Sequence, residues 1–572
     1  MQRFDMNRRT FLAGAAAPAL HAQAPAVQTR RPANRPNILL LFTDEQRFDT
    51  LGCMGNQHIR TPNLDRLAES GVRFTNACTP APICVAARMS LISGHRSRVT
   101  RIASNSVLPG GPVRLPTIMD ALDNAGYRTH AIGKMHFEGR HQGLHRHERM
   151  EETVRIRIDD DYLSYLKTHG VRTRYPQGLR DLLYLQPQTS GIPVEHSQNT
   201  WVADRSIAFL REHTRYRGSR PFFLWSSWIA PHPPFAPCAP YDKAYDPASL
   251  PLPVYRDRPL ASLPAPAWAE RARMDGAQED EARLRRMKAL YYGQISHIDH
   301  GVGRILGELD RLGLAENTAV IFTSDHGEML GDHGLGHKSV PYEPSVHIPL
   351  LLRWPGRTAK GRVRNDLVGL TDLFPTILEG LDLQYPGGAP PLHGLSLISA
   401  EGGGCAIPRE AFISEFGAAA NRWVSVRTQT HKYNLWASGG REELFDLQAD
   451  SEERTNLAAA GGALPARLRE KALEWERSEG LSESFEGGRF RVFAEPPVPK
   501  STPRNVLINE GRWPENLPED ERKGVESYAE AFDRALLHET TLSPGKLSIA
   551  EYKRKGGHSL EGTRWAEAWQ QA

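Results

Sequence analysis

Short apolar runs alternate with helical patterns along most of the chain. NILLLFT (37–43), FFLWSSWI (222–229), AVIFT (319–323) and a weaker run at 128–132 are largely apolar along their length. Strands buried on both faces of a parallel sheet read this way, whereas a sheet with one wet face shows strict alternation. Helical patterns fall between the runs. The segment 62–69 opens on Pro62 and stops before Gly71, and 116–124 ends before Gly126. These are the residues that helix starts and stops favour. From Met287 to Leu312 the apolar positions Leu290, Ile295, Ile298, Val302, Ile305 and Leu309 recur at helical spacing. The pattern predicts a doubly wound α/β domain with a large, mostly parallel sheet flanked by helices.

The character changes near Phe412. WVSVRTQTHKYNLWASGGREELFDL reads as short strands joined by turns, and a helix is expected near 464–478. A smaller α+β subdomain with an antiparallel sheet follows from this. The expected organisation is a main domain over 36–400, this subdomain over 405–480, and an extension over 481–572. The extension is rich in Pro, Gly and charge, with one helical stretch at 524–537 and no chemistry assigned to it.

Polar clusters stand immediately after the apolar runs. Asp44 and Glu45 follow the first, Lys134 and His136 the second, His232 the third, and Asp325 and His326 the fourth. Ligands of open α/β sheets bind outside the carboxyl ends of the strands. Four clusters at that edge therefore predict one active site before any relative is considered.

Composition narrows the function classes. A net charge of +4 on 572 residues is too small to indicate a nucleic-acid partner. Beyond the N-terminus no apolar run is long enough to span a bilayer, so no membrane span is expected in the mature protein. The five cysteines are scattered without a CxxC pair, which argues against a disulfide scaffold or a thiolate zinc site. A disulfide among some of them stays open for an exported protein. Export is indicated by residues 1–24. Arg8 and Arg9 precede Phe11 and Leu12, an apolar stretch, and a small-residue end at Ala22-Gln23-Ala24. This resembles a bacterial twin-arginine signal cleaved after Ala24, with 25–35 as linker. It implies a periplasmic or secreted protein that uses the twin-arginine export machinery.

The segment PICVAARMSLISG (82–94) carries the most specific chemistry. It resembles the sulfatase consensus, in which a cysteine is followed two residues on by Pro or Ala and four residues on by Arg. Here these are Cys84, Ala86 and Arg88. RPNILLLFTDEQR, TPNLDRLAESGVRFTNA, GYRTHAIGKMHF, PHPPF, YYGQISHIDHGVGRIL, SDHGEMLGDHGLGHK and KYNLWASGGREELFDLQADSEERTNLA also look like landmarks of that family, in order from Pro36 to Leu457. The resemblance implies an alkaline phosphatase-like fold and a sulfuric ester hydrolase. It also implies that a maturation enzyme converts Cys84 to formylglycine. One hydroxyl of the hydrated aldehyde attacks sulfur and expels the alcohol, and loss of a proton from the other releases sulfate. Independently, Cys84 is placed to open a helix over 85–93, whose N-terminal N–H groups favour an anion.

Carried over residue by residue, the resemblance makes Asp44, Glu45, Asp325, His326 and the modified Cys84 the ligands of one divalent metal. A carboxylate-rich set suits calcium, while His326 leaves room for manganese, and magnesium is a further option. The catalytic set is Cys84, Arg88, Lys134, His136, His232 and Lys338. Arg88 would hold the nucleophile and the metal-bound oxygens, and Lys134 would bridge nucleophile and sulfate. His136 is the expected base, while His232 and Lys338 grip the sulfate and one of them protonates the leaving oxygen. Two departures stand out. Ala86 replaces the more frequent proline, and Glu45 replaces the second aspartate of many members.

Other candidates carry less. His333 and His337 are assigned no role, and His297 and His300 are expected to pack or face solvent. The run HFEGRHQGLHRHERM, with His141, His145 and His147, is expected to be a basic loop bordering the pocket mouth. Trp225 and Trp228 read as strand core in preference to a sugar platform. The expected substrate is a sulfated small molecule or carbohydrate, and an aryl or alkyl sulfate is equally allowed. A phosphodiester or phosphonate monoester hydrolase using the same site is the second reading. A non-catalytic anion-binding protein with unmodified Cys84 is the third. Oligomeric state is not legible.

Overall fold

The computed structural model describes residues 35–498, apart from 138–141, 152–159, 172–184, 186, 188, 217–219, 275–278, 386 and 399–406. The signal-like segment 1–24, residues 25–34 of the linker, His141 and the helical stretch at 524–537 lie outside the described residues. Strands β1 (Asn37–Asp44), β2 (Val72–Cys78), β3 (Arg128–Gly133), β4 (Arg146–Arg149), β5 (Phe222–Pro231), β6 (Thr318–Ser324), β7 (Leu350–Arg353) and β8 (Arg362–Gly369) form one sheet. Its order is β4-β3-β5-β1-β6-β7-β2-β8. β7 runs antiparallel to β6 and β2, and the other neighbours pair in parallel.

Burial on both faces explains the apolar runs. β1 lies between β5 and β6, with Leu39 level with Leu224 and Val320, and all of its residues are buried. Ile38, Leu40 and Phe42 share one core with Phe223, Trp225 and the helix Cys84–Ser93. Leu39 and Leu41 point into another core with Ile298, Val302 and Ile305 of the helix Glu281–Arg311. Trp225 and Trp228 are fully buried, as strand core should be.

The predicted elements are present, with shifted ends. The second helix begins at Ile118, because Thr117 accepts the Asp120 N–H and closes a capping box that leaves Pro116 outside. The long helix begins at Glu281, capped by Asp280, ahead of the apolar periodicity. Its first turns are polar and carry no pattern to read. The HFEGRHQGLHRHERM run corrects an expectation. Instead of a loop throughout, residues Arg146–Arg149 form the edge strand β4 alongside β3. His147 Nε2 lies 2.8 Å from the Gly133 carbonyl oxygen, and His145 Nε2 lies 2.6 Å from Asp123. The His147 ring is tied to the end of β3, and the His145 ring joins the helix Ile118–Asn124 to the Thr129 N–H of β3.

Strands β9 (Phe412–Phe416), β10 (Trp423–Arg427), β11 (His431–Trp436) and β12 (Glu442–Asp446) form the antiparallel sheet β12-β11-β10-β9. Leu468 and Ala472 of the helix Ala463–Ser478 pack on its Val424, Val426 and Tyr433. Buried ion pairs join it to the loop that follows β6. Glu343 binds Arg427 at 3.0 Å and Lys432 at 2.8 Å, and Lys432 also binds Glu453 at 2.8 Å. Cys53, Cys78, Cys84 and Cys238 are free thiols.

Gly133 ends β3 at φ +94°, and a Cβ there would collide with the Ser227 carbonyl oxygen on β5. Lys134 follows directly, so this close approach sets where its side chain leaves the sheet. Gly133→Ala is expected to lower stability by roughly 2–4 kcal/mol through backbone strain and steric overlap. An unchanged denaturation midpoint in urea would contradict that reading.

Candidate active site

The strand-end residues converge as the doubly wound topology requires. Asp44 ends β1, Lys134 follows β3, His232 follows β5, and Asp325 and His326 follow β6. Facing them, Cys84 opens the buried helix Cys84–Ser93, which ends at Gly94 with φ +71°. The Val85 N–H donates to Asn105 Oδ1 at 3.0 Å. The Ser339 N–H donates to the Pro82 carbonyl oxygen at 3.1 Å, which draws the Lys338 loop against the Cys84 turn.

A first cluster surrounds the thiol. Cys84 Sγ lies 3.4 Å from His326 Nε2, 3.7 Å from Asp44 Oδ1 and 3.7 Å from Lys134 Nζ. Lys134 Nζ is also ion-paired with Asp44. Arg88 reaches back from the same helix: its Nε donates to Asp325 Oδ2 at 2.8 Å and its Nη2 to Asp44 Oδ2 at 3.1 Å. Its Nη1 donates to the Lys134 carbonyl oxygen at 2.7 Å, and its guanidinium lies over the Phe42 ring. Asp325 Oδ1 accepts the N–H groups of Glu45 and His326 at 3.1 and 3.0 Å. His326 Nδ1 lies 3.1 Å from the Gly327 carbonyl oxygen, and against the pull of burial Asp325 and Cys84 raise the imidazole to about 9.

A second cluster lies beside the first. Glu45 meets Lys338 Nζ at 2.6 Å, His337 Nδ1 at 3.0 Å and His232 Nε2 at 3.2 Å. Lys338 Nζ and His232 Nε2 are 3.1 Å apart, and His232 Nδ1 lies 2.7 Å from the Pro233 carbonyl oxygen. Glu328 Oε1 accepts the N–H groups of Leu330 and His337, closing the loop that carries Lys338. Tyr291 donates to the Glu45 carbonyl oxygen at 2.7 Å and accepts the Arg47 N–H at 3.0 Å.

Charge and burial set the protonation states. Burial alone would raise the Asp44 carboxyl, but Lys134, His232, Arg88 and His326 hold it well below the usual carboxylate range. Burial also opposes Glu45, and the Lys338 ammonium at 2.6 Å, helped by the His337 hydrogen bond, outweighs it and holds it again well below the usual range. Glu328 goes the other way, pushed well up by burial and by the Glu45 charge. His136 is pushed down to about 3 by burial and Lys134, and His232 well down by burial and Lys338.

Asp44, Cys84, Asp325 and His326 form a buried set whose ligand atoms all lie within 4.8 Å of one another. Three hard or borderline donors beside one sulfur fit a divalent ion once the sulfur is exchanged for oxygen. Glu45, expected among the ligands, lies within 4.8 Å of Asp44 and His232 in a neighbouring set, and its carboxylate pairs with Lys338. His337 and Glu328 were missed from the sequence. Both sit in SDHGEMLGDHGLGHK, Glu328 two residues past His326 and His337 next to Lys338. Asn105 gave no signal, being an ordinary polar residue in a loop. His297 is buried and packs face to face on Tyr241 at 4.0 Å, while His300 is exposed and hydrogen-bonded with the Tyr241 hydroxyl, so one packs and the other faces solvent, as expected.

The fold and the site are those of a hydrolase of anionic esters. The family model described as Sulfatase matches residues 36–383, and that of the N-sulphoglucosamine sulphohydrolase C-terminal region matches 331–474. An arylsulfatase of Clostridium perfringens is 33% identical over 459 residues, covering 74% of this chain and 90% of that protein. Arylsulfatase K of Mus musculus is 29% identical over 577 residues, covering 95% of this chain and 96% of that one. Among solved structures, the phosphonate monoester hydrolase of Agrobacterium radiobacter superposes with a TM-score of 0.68 at 26% identity, covering 78% of this chain and 96% of that one. The chain belongs to the sulfatase family and is a sulfatase. Among the described residues no helix is long and apolar enough to cross a membrane.

Asp325→Ala removes one candidate ligand and one partner of Arg88. The expected outcome is loss of bound divalent metal, read by elemental analysis of purified protein. Full stoichiometric metal in the variant would remove Asp325 from the ligand set.

Proposed function

We propose that this sulfatase hydrolyses its ester with a formylglycine made from Cys84, assisted by a divalent metal, calcium by preference, held by Asp44, Asp325, His326 and the modified residue. The observation that carries the reading is the placement of Cys84 at a helix N-terminus, between the candidate metal ligands and Lys134. The formylglycine would supply a hydrated aldehyde as nucleophile. The metal would supply positive charge for the oxygens that gain charge in the transition state.

The chain's own residues then divide the work. Arg88 holds Asp44 and Asp325 in place. Lys134 stands where it can contact both nucleophile and sulfate. His136 is held neutral by burial and Lys134, which suits the base that takes the proton for sulfate release. His232 is likewise held neutral, so of the His232–Lys338 pair Lys338 is the cation that can protonate the departing oxygen. The substrate class is a sulfated small molecule or carbohydrate, and the match to the sulphoglucosamine sulphohydrolase C-terminal model supports a sugar. The twin-arginine-like segment supports export to the periplasm or beyond, after maturation in the cytoplasm.

The likeness to a phosphonate monoester hydrolase favours one second reading, the same site acting on phosphonate monoesters or phosphodiesters. A paired assay with one leaving group, on protein matured in a competent host, separates the two. Sulfatase function predicts the higher kcat/KM on the 4-nitrophenyl sulfate, and a clear preference for the phosphonate or diester would move the protein to the other branch. Cys84→Ala is expected to abolish turnover with the fold intact, and near-normal activity with that variant would sink the mechanism. Lys338→Ala should slow phenyl sulfate by about 10²–10⁴-fold and 4-nitrophenyl sulfate far less, since a good leaving group needs no proton. Equal losses on both esters would assign the proton to another group.

A further inference from the structure

Glu45 is an anion built into the wall of an anion-binding site. Its N–H donates to Asp325 Oδ1 at 3.1 Å, so its backbone touches the first cluster. With φ at +65° its side chain leaves toward the second, where Lys338, His337 and His232 meet it at 2.6, 3.0 and 3.2 Å. The side chain is fully buried, and Glu328 stands behind it on the closed loop. On the roles proposed above for the modified Cys84, His232 and Lys338, the ester's anionic group sits between Cys84 and the His232–Lys338 pair. Every negative charge it brings is then repelled by Glu45, in a place where water does little to screen the repulsion. A sulfate monoester carries one negative charge, as does a phosphonate monoester or a phosphodiester. A phosphate monoester carries two above its second pKa, near about 6.

We propose that Glu45 is a specificity-determining residue that offsets the Lys338 charge and selects singly charged esters over doubly charged ones. It does this without ligating the metal. Glutamine is the informative replacement, since it keeps the volume and an acceptor while removing the charge. Aspartate keeps the charge and shortens the reach.

The test compares kcat/KM for 4-nitrophenyl sulfate, 4-nitrophenyl phenylphosphonate and 4-nitrophenyl phosphate at pH 8, with bound metal measured in each protein. In Glu45→Gln the ratio of phosphate to sulfate should rise on the order of tenfold or more, with metal content unchanged. In Glu45→Asp the ratio should stay near that of the natural protein even where both rates fall. An unchanged ratio in the glutamine variant overturns the proposal, and loss of metal from it makes Glu45 a ligand and overturns it too. Should the glutamine variant fail to fold, the unaltered protein still answers through inhibition at pH 8.5. Benzenesulfonate, singly charged, should then bind at least tenfold tighter than phenylphosphonate, which has nearly the same shape and two charges. The reverse order overturns the proposal. If the unaltered protein prefers the phosphonate ester to the sulfate, the sulfatase specificity fails. Charge selection is then read from the phosphonate-to-phosphate ratio.

Discussion

The buried fork between Arg88 and the carboxylates of Asp44 and Asp325 is the interaction on which the site depends. All of these side chains are fully buried, so each would be prohibitively unfavourable alone. Together they join the ends of β1 and β6 to the helix that carries Cys84. The same guanidinium holds the Lys134 carbonyl oxygen, which brings the end of β3 into register with the other two. A lysine could not replace it, because the arrangement uses donors in a planar fork and a flat cation over the Phe42 ring.

Around that fork the site divides into two charge-balanced halves. One pairs Asp44 and Asp325 with Arg88 and Lys134, and in the other Lys338 balances Glu45 while His232 and His337 pack against it. The halves meet through the chain itself, since Asp44 and Glu45 are neighbours and the Glu45 N–H binds Asp325. Such a layout keeps Asp44 and Glu45 ionised and the imidazoles of His136 and His232 neutral in one small volume. Proton acceptors and metal-binding oxygens can therefore coexist without neutralising each other.

The parts of this design that depend on periodicity and topology were legible in the sequence. Continuous apolar runs exposed β1, β3, β5 and β6, and the rule for parallel sheets placed Asp44, Lys134, His232 and Asp325 at one edge. The antiparallel sheet and its helix were legible for the same reason. What escaped were features decided by tertiary contacts. β4 is a short edge strand made of RHER, with no pattern to mark it, and it emerged from what read as a loop. The direction of Glu45 depends on Lys338 and His337, which arrive from nearly three hundred residues further along. Asn105 is an ordinary polar residue until the fold sets it against the Val85 N–H.

The separation between Cys84 and its partners also has a consequence in time. His326 follows Cys84 by 242 positions, and Lys338 follows Glu45 by 293. A chain made at roughly 5–20 residues per second leaves Cys84 without His326 for on the order of ten to fifty seconds. In the finished molecule the same thiol is 1% exposed. Cys84 is thus made well ahead of the groups that surround it: His326 and Lys338 do not yet exist when the thiol leaves the ribosome, and its surroundings are complete only when β6 stands beside β1.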